Sequence, residues 1–253
     1  MVNYVTVARL SYAEHLVAYP WRLSLVTTWP RAVLQCLFWV LIGQVRGNGA
    51  AYAFPGAVAL SITVSTIIGL SDVSTLDQRW GTSSRVRMAN VSITCLNAAR
   101  SVPWVVDAVV VYLLCVVIVG PLTGLGASTV WLLRAFPIFL LMILSSAAAG
   151  LAVASLSARL DTNVLLGNAL SWLMLAAGSF VTAVVQLPVL DTIGAVLPMT
   201  HGVAAVRALA AGTPYFPDVV REAVVGVGWA VLAAVAFRVQ AMRARRTGND
   251  FAV

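Results

Sequence analysis

Lysine is absent from this 253-residue chain, and all 16 of its basic residues are arginine. A phosphate-binding loop of the Walker type needs a lysine to reach the β- and γ-phosphates, so the chain holds no ordinary nucleotide motor of its own. A lysine Schiff base with pyridoxal phosphate is excluded on the same ground. Charge of either sign is scarce: 10% of residues are charged against 60% hydrophobic, with a mean hydropathy of +0.93. A soluble domain has roughly 25% charged residues, so that class is excluded. Histidine occurs only at His15 and His201. The three cysteines, Cys36, Cys95 and Cys115, are odd in number and form no CxxC pair, which reads as reduced packing residues without a disulfide framework. No HExxH, no cysteine cluster of metal-ligand spacing and no GxSxG elbow is present. Only Asp107 is a carboxylate well inside an apolar run, and one carboxylate cannot make the dyad of an intramembrane protease. The expectation is a chain that is not an enzyme and holds no metal.

What is present is a series of long apolar stretches. A bilayer core about 30 Å thick takes roughly 20 apolar residues per helix. The pattern predicts an all-α polytopic membrane protein with six spans near 25–45, 52–72, 102–120, 131–156, 164–184 and 219–237. Before them, residues 3–19 repeat Val5, Ala8, Tyr12, Leu16 and Tyr19 at helical spacing, which predicts an amphipathic helix lying on the inner surface of the bilayer and ended by Pro20. The chain thus divides into an interface helix over 1–24 and a transmembrane domain over 25–253. Arg9, Glu14 and Arg22 interrupt the N-terminal segment, which reads as no cleaved signal peptide.

The arginines set the orientation. With both termini inside, the N-terminal segment, the connection 73–100, Arg159 and the tail 238–253 together carry 12 of the 16 arginines. That is the positive-inside pattern. The net charge of +7 then reflects topology and attraction to the inner leaflet, not nucleic-acid binding. The expected location is a cell membrane, multi-pass, with both termini cytoplasmic.

A few polar residues fall within the spans. Gln35, Ser65, Asp107 and Asn168 are candidates to line a pathway. A buried aspartate costs about 2.5–3.5 kcal/mol at the centre of a span and less near an end, and the simpler reading pairs Asp107 with Arg100 near the interface. An isolated amide in a span more often holds helices together. The connection 73–100 is the longest polar one. Its stretch Asp77, Arg79, Trp80, Gly81, Thr82, Arg85 and Arg87 has a glycine break, hydroxyls able to cap a new helix, and an aromatic anchor among arginines. It is a candidate docking element for a cytoplasmic partner, with an ordinary basic loop as the alternative. Residues 185–217, with prolines at 188, 198, 214 and 217, are too broken for a simple span.

In this order and spacing the chain resembles the ABC-2 type permeases, including the daunorubicin-resistance type of multidrug exporter. Asp77, Arg79, Gly81 and Thr82 resemble the family's coupling segment between its second and third spans. Pro188, then Leu197-Pro198-Met199-Thr200-His201, then Arg207, resemble its outer stretch before the last span. A proline usual after the coupling segment is missing here, where Asn90-Val91-Ser92 stands, so the motif does not fix the start of the third span. The resemblance implies six spans, an inner interface helix, ATPase coupling through Asp77, Arg79, Trp80, Gly81, Thr82, Arg85 and Arg87, and an outer re-entrant gate with Pro188, Pro198, His201 and Arg207. It implies separate ATPase subunits that carry ATP and magnesium, a second permease subunit that is identical or related, and a bacterial cell membrane. The implied cargo is a drug-like or lipid-like amphipathic molecule. A polysaccharide or lipid-linked glycan exporter, a motor-free membrane scaffold and a proton-coupled carrier working through Asp107 are the alternatives.

Overall fold

The computed structural model describes residues 4–45, 49–71, 73, 92–157, 163–181 and 188–247. Among the described residues every regular element is helical. A bilayer offers backbone groups no water, and a helix satisfies them within its own segment. Five helical runs are long and apolar enough to cross: Trp21–Val45, Ala50–Ser71, Ile93–Leu122, Phe136–Leu156 and Phe216–Arg243. They are the first, second, third, fourth and last spans below. The chain is an all-α polytopic membrane protein.

The fifth predicted span differs. The helix Asn163–Ala177 has 15 residues, about 22 Å at 1.5 Å per residue, and the chain turns at Gly178 and Ser179 with Ser179 in the left-handed region (φ 52°). The third span begins at Ile93, nearer the N-terminus than the expected 102, because Ser92 caps it by accepting the Cys95 N–H at 3.5 Å. The predicted fourth span is split at Ala135 into Gly126–Arg134 and Phe136–Ser157. Pro137 sits at the start of the second piece, where a missing N–H is harmless. The last helix runs unbroken over 32 residues, Phe216–Thr247. It therefore continues through residues expected to be a tail, and the Gln240 amide donates to the Ser155 carbonyl of the fourth span.

The second span is the centre of the bundle. In its most apolar stretch 83% of residues are buried, against 17% in the first span and 11% in the last, so those two present most of their surface outward. The core joins Phe54, Tyr112, Phe139, Met142 and Phe180 from four different segments. The fourth span packs along the last helix. Small residues set these distances: a Cβ on Gly150 would lie 2.2 Å from the Thr66 carbonyl oxygen, and one on Gly56 would lie 1.8 Å from that of Phe180. The small residues on the second, fourth and fifth helices suit either contact with another subunit or close packing within one bundle. The structure uses them inside one bundle, with Gly167 also set against Ser71.

The N-terminal helix, Tyr4–Ala18, packs on both halves of the third span. It turns Ser11 and His15 toward the bundle and leaves Tyr12, Leu16 and Tyr19 exposed.

Gly56→Ala is expected to destabilise the protein by about 1–3 kcal/mol, the usual range for overpacking. Gly228→Ala, which meets nothing within 4 Å, should be neutral or slightly stabilising. Thermal midpoints of the two variants in nanodiscs check this.

Candidate functional site

Asp77, Arg79, Trp80, Gly81, Thr82, Arg85 and Arg87 lie outside the described residues. The polar residues singled out within the spans are described, and they converge. A cavity of about 340 Å³ lies among the N-terminal helix and the first three spans, with His15, Arg31, Trp104 and Asp107 in its wall. A smaller one of about 120 Å³ lies among the first span, the second span and the helix Asn163–Ala177, lined by Arg31, Gln35, Trp39, Asn168, Ser171 and Trp172. Arg31, Val64 and Ile68 belong to both walls, so the two are adjoining compartments.

Ser65 completes the set. The second span carries several hydroxyls, and those of Ser61, Thr63, Thr66 and Ser71 all donate to carbonyls of their own helix. Ser65 donates across to Asp107 Oδ2 at 2.6 Å. It sits in a π-helical stretch, Val64–Ile68, which carries one extra residue in the turn. Asp107 Oδ1 accepts the Trp29 indole N–H at 3.0 Å. Both carboxylate oxygens are therefore engaged by the first and second spans, where the sequence suggested Arg100 as the partner. Asn168 and Ser171 donate back to Val164 and Gly167 within their own helix.

His15 borders the larger cavity. Its ring lies 4.7 Å from that of Trp104 and 5.3 Å from that of Tyr19, so it joins the N-terminal helix to the third span. Burial lowers its pKa from the ordinary value, and the Asp107 carboxylate opposes that shift without reversing it. No role for His15 was legible in the sequence, since nothing there shows residue 15 meeting residue 104.

The other concentration of polar contacts is at a bent pair of helices before the last span. Helices Pro188–Val196 and Thr200–Ala210 meet at 95°. Pro188 opens the first, Pro198 lies in the turn between them, and Met199 takes the left-handed conformation (φ 67°). The break leaves backbone groups without helical partners. His201 Nε2 lies 3.0 Å from the Ala195 carbonyl. From the last helix, Trp229 donates to the Val196 carbonyl at 3.0 Å. Glu222, fully buried, accepts the N–H groups of Met199 at 2.8 Å and Gly202 at 3.0 Å. It thus caps the helix Thr200–Ala210 with a carboxylate, the charge that a helix N-terminus favours. Arg207 donates to the carbonyls of Tyr52 (3.2 Å), Ser179 (2.9 Å) and Phe180 (2.6 Å), with its guanidinium 3.7 Å over the Tyr52 ring. The bent pair is thereby fastened to the start of the second span, the end of the fifth helix and the last helix.

Glu222 and Trp229 were not picked out from the sequence, where Asp107 stood as the only deep carboxylate. Glu222 lies inside the predicted last span, 219–237, next to Arg221 and Asp218, which form a pair at 3.0 Å, and its residue type alone does not show what it caps. The available signal was spacing: Glu222, Gly226 and Trp229 fall on one helical face.

Replacing Arg207 with methionine orphans three carbonyls, and a hydrogen bond to a charged group is worth about 1.5–3 kcal/mol. Arg207→Met should therefore lower the thermal midpoint far more than Arg221→Met, since Arg221 is exposed and pairs with one carboxylate, Asp218. For His15 the sign is set by its lowered pKa. Its neutral form is favoured in the fold, so its contribution is complete above the unfolded pKa and lost as pH falls through the folded one. Thermal midpoints taken from pH 7.5 down to about 5 should fall in the wild type and fall less in His15→Phe.

Neither the curated proteins nor the solved structures include a match to this chain. The family model described as ABC-2 type transporter matches residues 20–210. That stretch runs from the first span to the end of the helix Thr200–Ala210, and so takes in most of the cavity walls and both bent helices. The chain belongs to the ABC-2 type transporter family, as a membrane-embedded permease.

Proposed function

We propose that this chain is the permease subunit of an exporter driven by a separate ATPase, and that it moves a drug-like or lipid-like amphipathic molecule out of the cell. The observation that carries the reading is the family match over residues 20–210 in a chain without a single lysine. Such a chain needs a motor, and an ordinary P-loop cannot be built from its residues. ATP and magnesium then belong to the partner. Both termini lie in the cytoplasm of a bacterial cell, and two permease subunits, identical or related, form the complete pathway.

In this reading the segment holding Asp77, Arg79, Trp80, Gly81, Thr82, Arg85 and Arg87 is the contact with the ATPase. Its two ends enter the second and third spans. Those spans share the Ser65–Asp107 hydrogen bond, so a push on the segment is delivered to helices already joined beside the inner cavities. The re-entrant pair, with Pro188, Pro198, His201 and Arg207, forms the outer gate. ATP state and cargo then bias one two-state element, as coupling requires. The amphipathic character of the cargo is supported by the inner compartments, where tryptophans stand beside an arginine, amides and hydroxyls.

Coexpression with a neighbouring P-loop ATPase gene should yield a complex with vanadate-sensitive ATP hydrolysis. Trp80→Ala and Arg85→Glu should cut the copurified ATPase at least about tenfold, the effect of losing an interface anchor worth 1.4 kcal/mol or more, with membrane insertion unchanged. ATP hydrolysis by the purified permease alone, or normal assembly by both variants, would count against the reading.

A further inference from the structure

We propose that Arg31, Gln35 and Trp39 form a binding site for an amphipathic molecule with an acidic head. The three residues lie at i, i+4 and i+8 of the helix Thr28–Val45. They therefore stack on one face and climb about 12 Å along it. All three line the smaller inner cavity.

The stripe is rich in hydrogen-bond donors that lack acceptors. A guanidinium and an indole N–H can only donate, and an amide donates through its nitrogen. The Trp39 Nε1 atom is buried with no hydrogen-bond partner. Among the described residues the side chains of Arg31 and Gln35 also have no hydrogen-bond or ion-pair partner. An unsatisfied buried donor costs about 1–3 kcal/mol, and of the three only the Trp39 N–H is such a donor; Arg31 is exposed and Gln35 half-buried, so they add a positive charge and an amide at the mouth of the same face.

Among the described residues none of the neighbouring polar groups is hydrogen-bonded to the stripe. Asp107, the nearest carboxylate along the cavity wall, already accepts from Trp29 and Ser65. Across the cavity, Asn168, Ser171 and Thr63 donate to carbonyls of their own helices. The remaining wall is apolar, with Leu60, Trp172 and Leu175. A phosphate or carboxylate head at Arg31, followed by ester or hydroxyl oxygens at Gln35 and Trp39, matches this order of groups. A cationic head would meet Arg31 with like charge.

Size narrows the class. The compartment holds about 120 Å³, room for a head group and its linkage but not for a whole amphiphile. The apolar tail therefore lies outside it, along the exposed flank of the first span that carries Leu34, Phe38 and Leu41. The same chemistry is offered by an anionic bilayer lipid and by an acidic amphiphile arriving from solution. The assignment rests on the export reading only in treating the bound molecule as cargo; the binding itself does not depend on it.

Equilibrium binding of dodecyl phosphate to the full-length permease in phosphatidylcholine nanodiscs tests the site, with dodecyltrimethylammonium as the opposite-charge probe. Saturable binding of the phosphate is expected, weakened roughly ten- to a hundredfold in Arg31→Gln and two- to tenfold in Trp39→Phe, which keeps the ring and removes the N–H. Arg31→Lys should retain more affinity than Arg31→Gln, since the charge survives. Unchanged binding in Arg31→Gln, or equal binding of the cationic probe, overturns the proposal. Competition by phosphatidylglycerol placed in the nanodisc assigns the head group to bilayer lipid; its failure to compete assigns it to an amphiphile from solution. The measurement needs no ATPase, so phosphate binding without motor assembly would sink the export reading alone, and assembly without phosphate binding would sink the site alone.

Discussion

A backbone break buried in an apolar body is the constraint on which the end of this protein around residues 188–210 depends. At residues 197–199 the chain leaves one short helix and enters another at a right-angled bend, exposing N–H and C=O groups where lipid cannot answer them. The answer comes from side chains on other segments. Glu222 takes two N–H groups, Trp229 supplies a donor, and Arg207 returns three hydrogen bonds to the carbonyls at the other chain reversal and at the head of the second span. Glu222 and Arg207 are thus held by backbone dipoles rather than by each other. Gly56 belongs to the same arrangement, because only a bare Cα lets the Phe180 carbonyl come close enough to reach Arg207.

The region around the two cavities is organised differently. Its polar groups are not gathered around a break but spread along helix faces, and they divide into engaged and unengaged sets. Asp107 is engaged, held by Trp29 and Ser65 at the meeting of three spans. Arg31, Gln35 and Trp39 are unengaged and face a compartment. At the bent pair Glu222 and Arg207 are spent on backbone groups, with the buried Thr200 hydroxyl left without a partner among the described residues, while the cavity end keeps Arg31, Gln35 and Trp39 for the proposed guest. An exporter of the kind proposed takes up its cargo from the inner side.

Much of the fold was readable from residue order. Length and hydropathy gave the all-helical class and the positions of the apolar helices, because burial in lipid leaves a signal in every residue of a span. The family signature was readable as well, since Pro188, Pro198 and Arg207 are rare kinds of residue for an apolar segment. Helix ends were less readable. The third span starts at Ile93 because Ser92 caps it, a local event that hydropathy does not register. The fifth helix stops at Ala177 although the sequence stays apolar beyond it. The partners of Asp107 and the role of Glu222 were not readable, because both depend on residues far apart in the chain, 78 positions in the case of Trp29 and Asp107. Gln35, Ser65, Asp107 and Asn168 were chosen one by one for being polar. That Gln35, Asp107 and Asn168 line adjoining compartments, with Ser65 bonded to Asp107 behind the wall, emerges only from the fold.

The π-helical stretch in the second span bears on how one rod serves two ends. An α-helix advances about 100° per residue, so a turn with one residue to spare throws everything beyond it out of phase by roughly that angle. Gly56, ahead of the stretch, is aimed at Phe180, while Ser65 and Thr66, inside it, are aimed at Asp107 and Gly150. A regular helix of the same sequence would point one of these groups away from its mate. The extra residue acts as a rotational offset, letting two unrelated docking problems be solved by a single continuous segment.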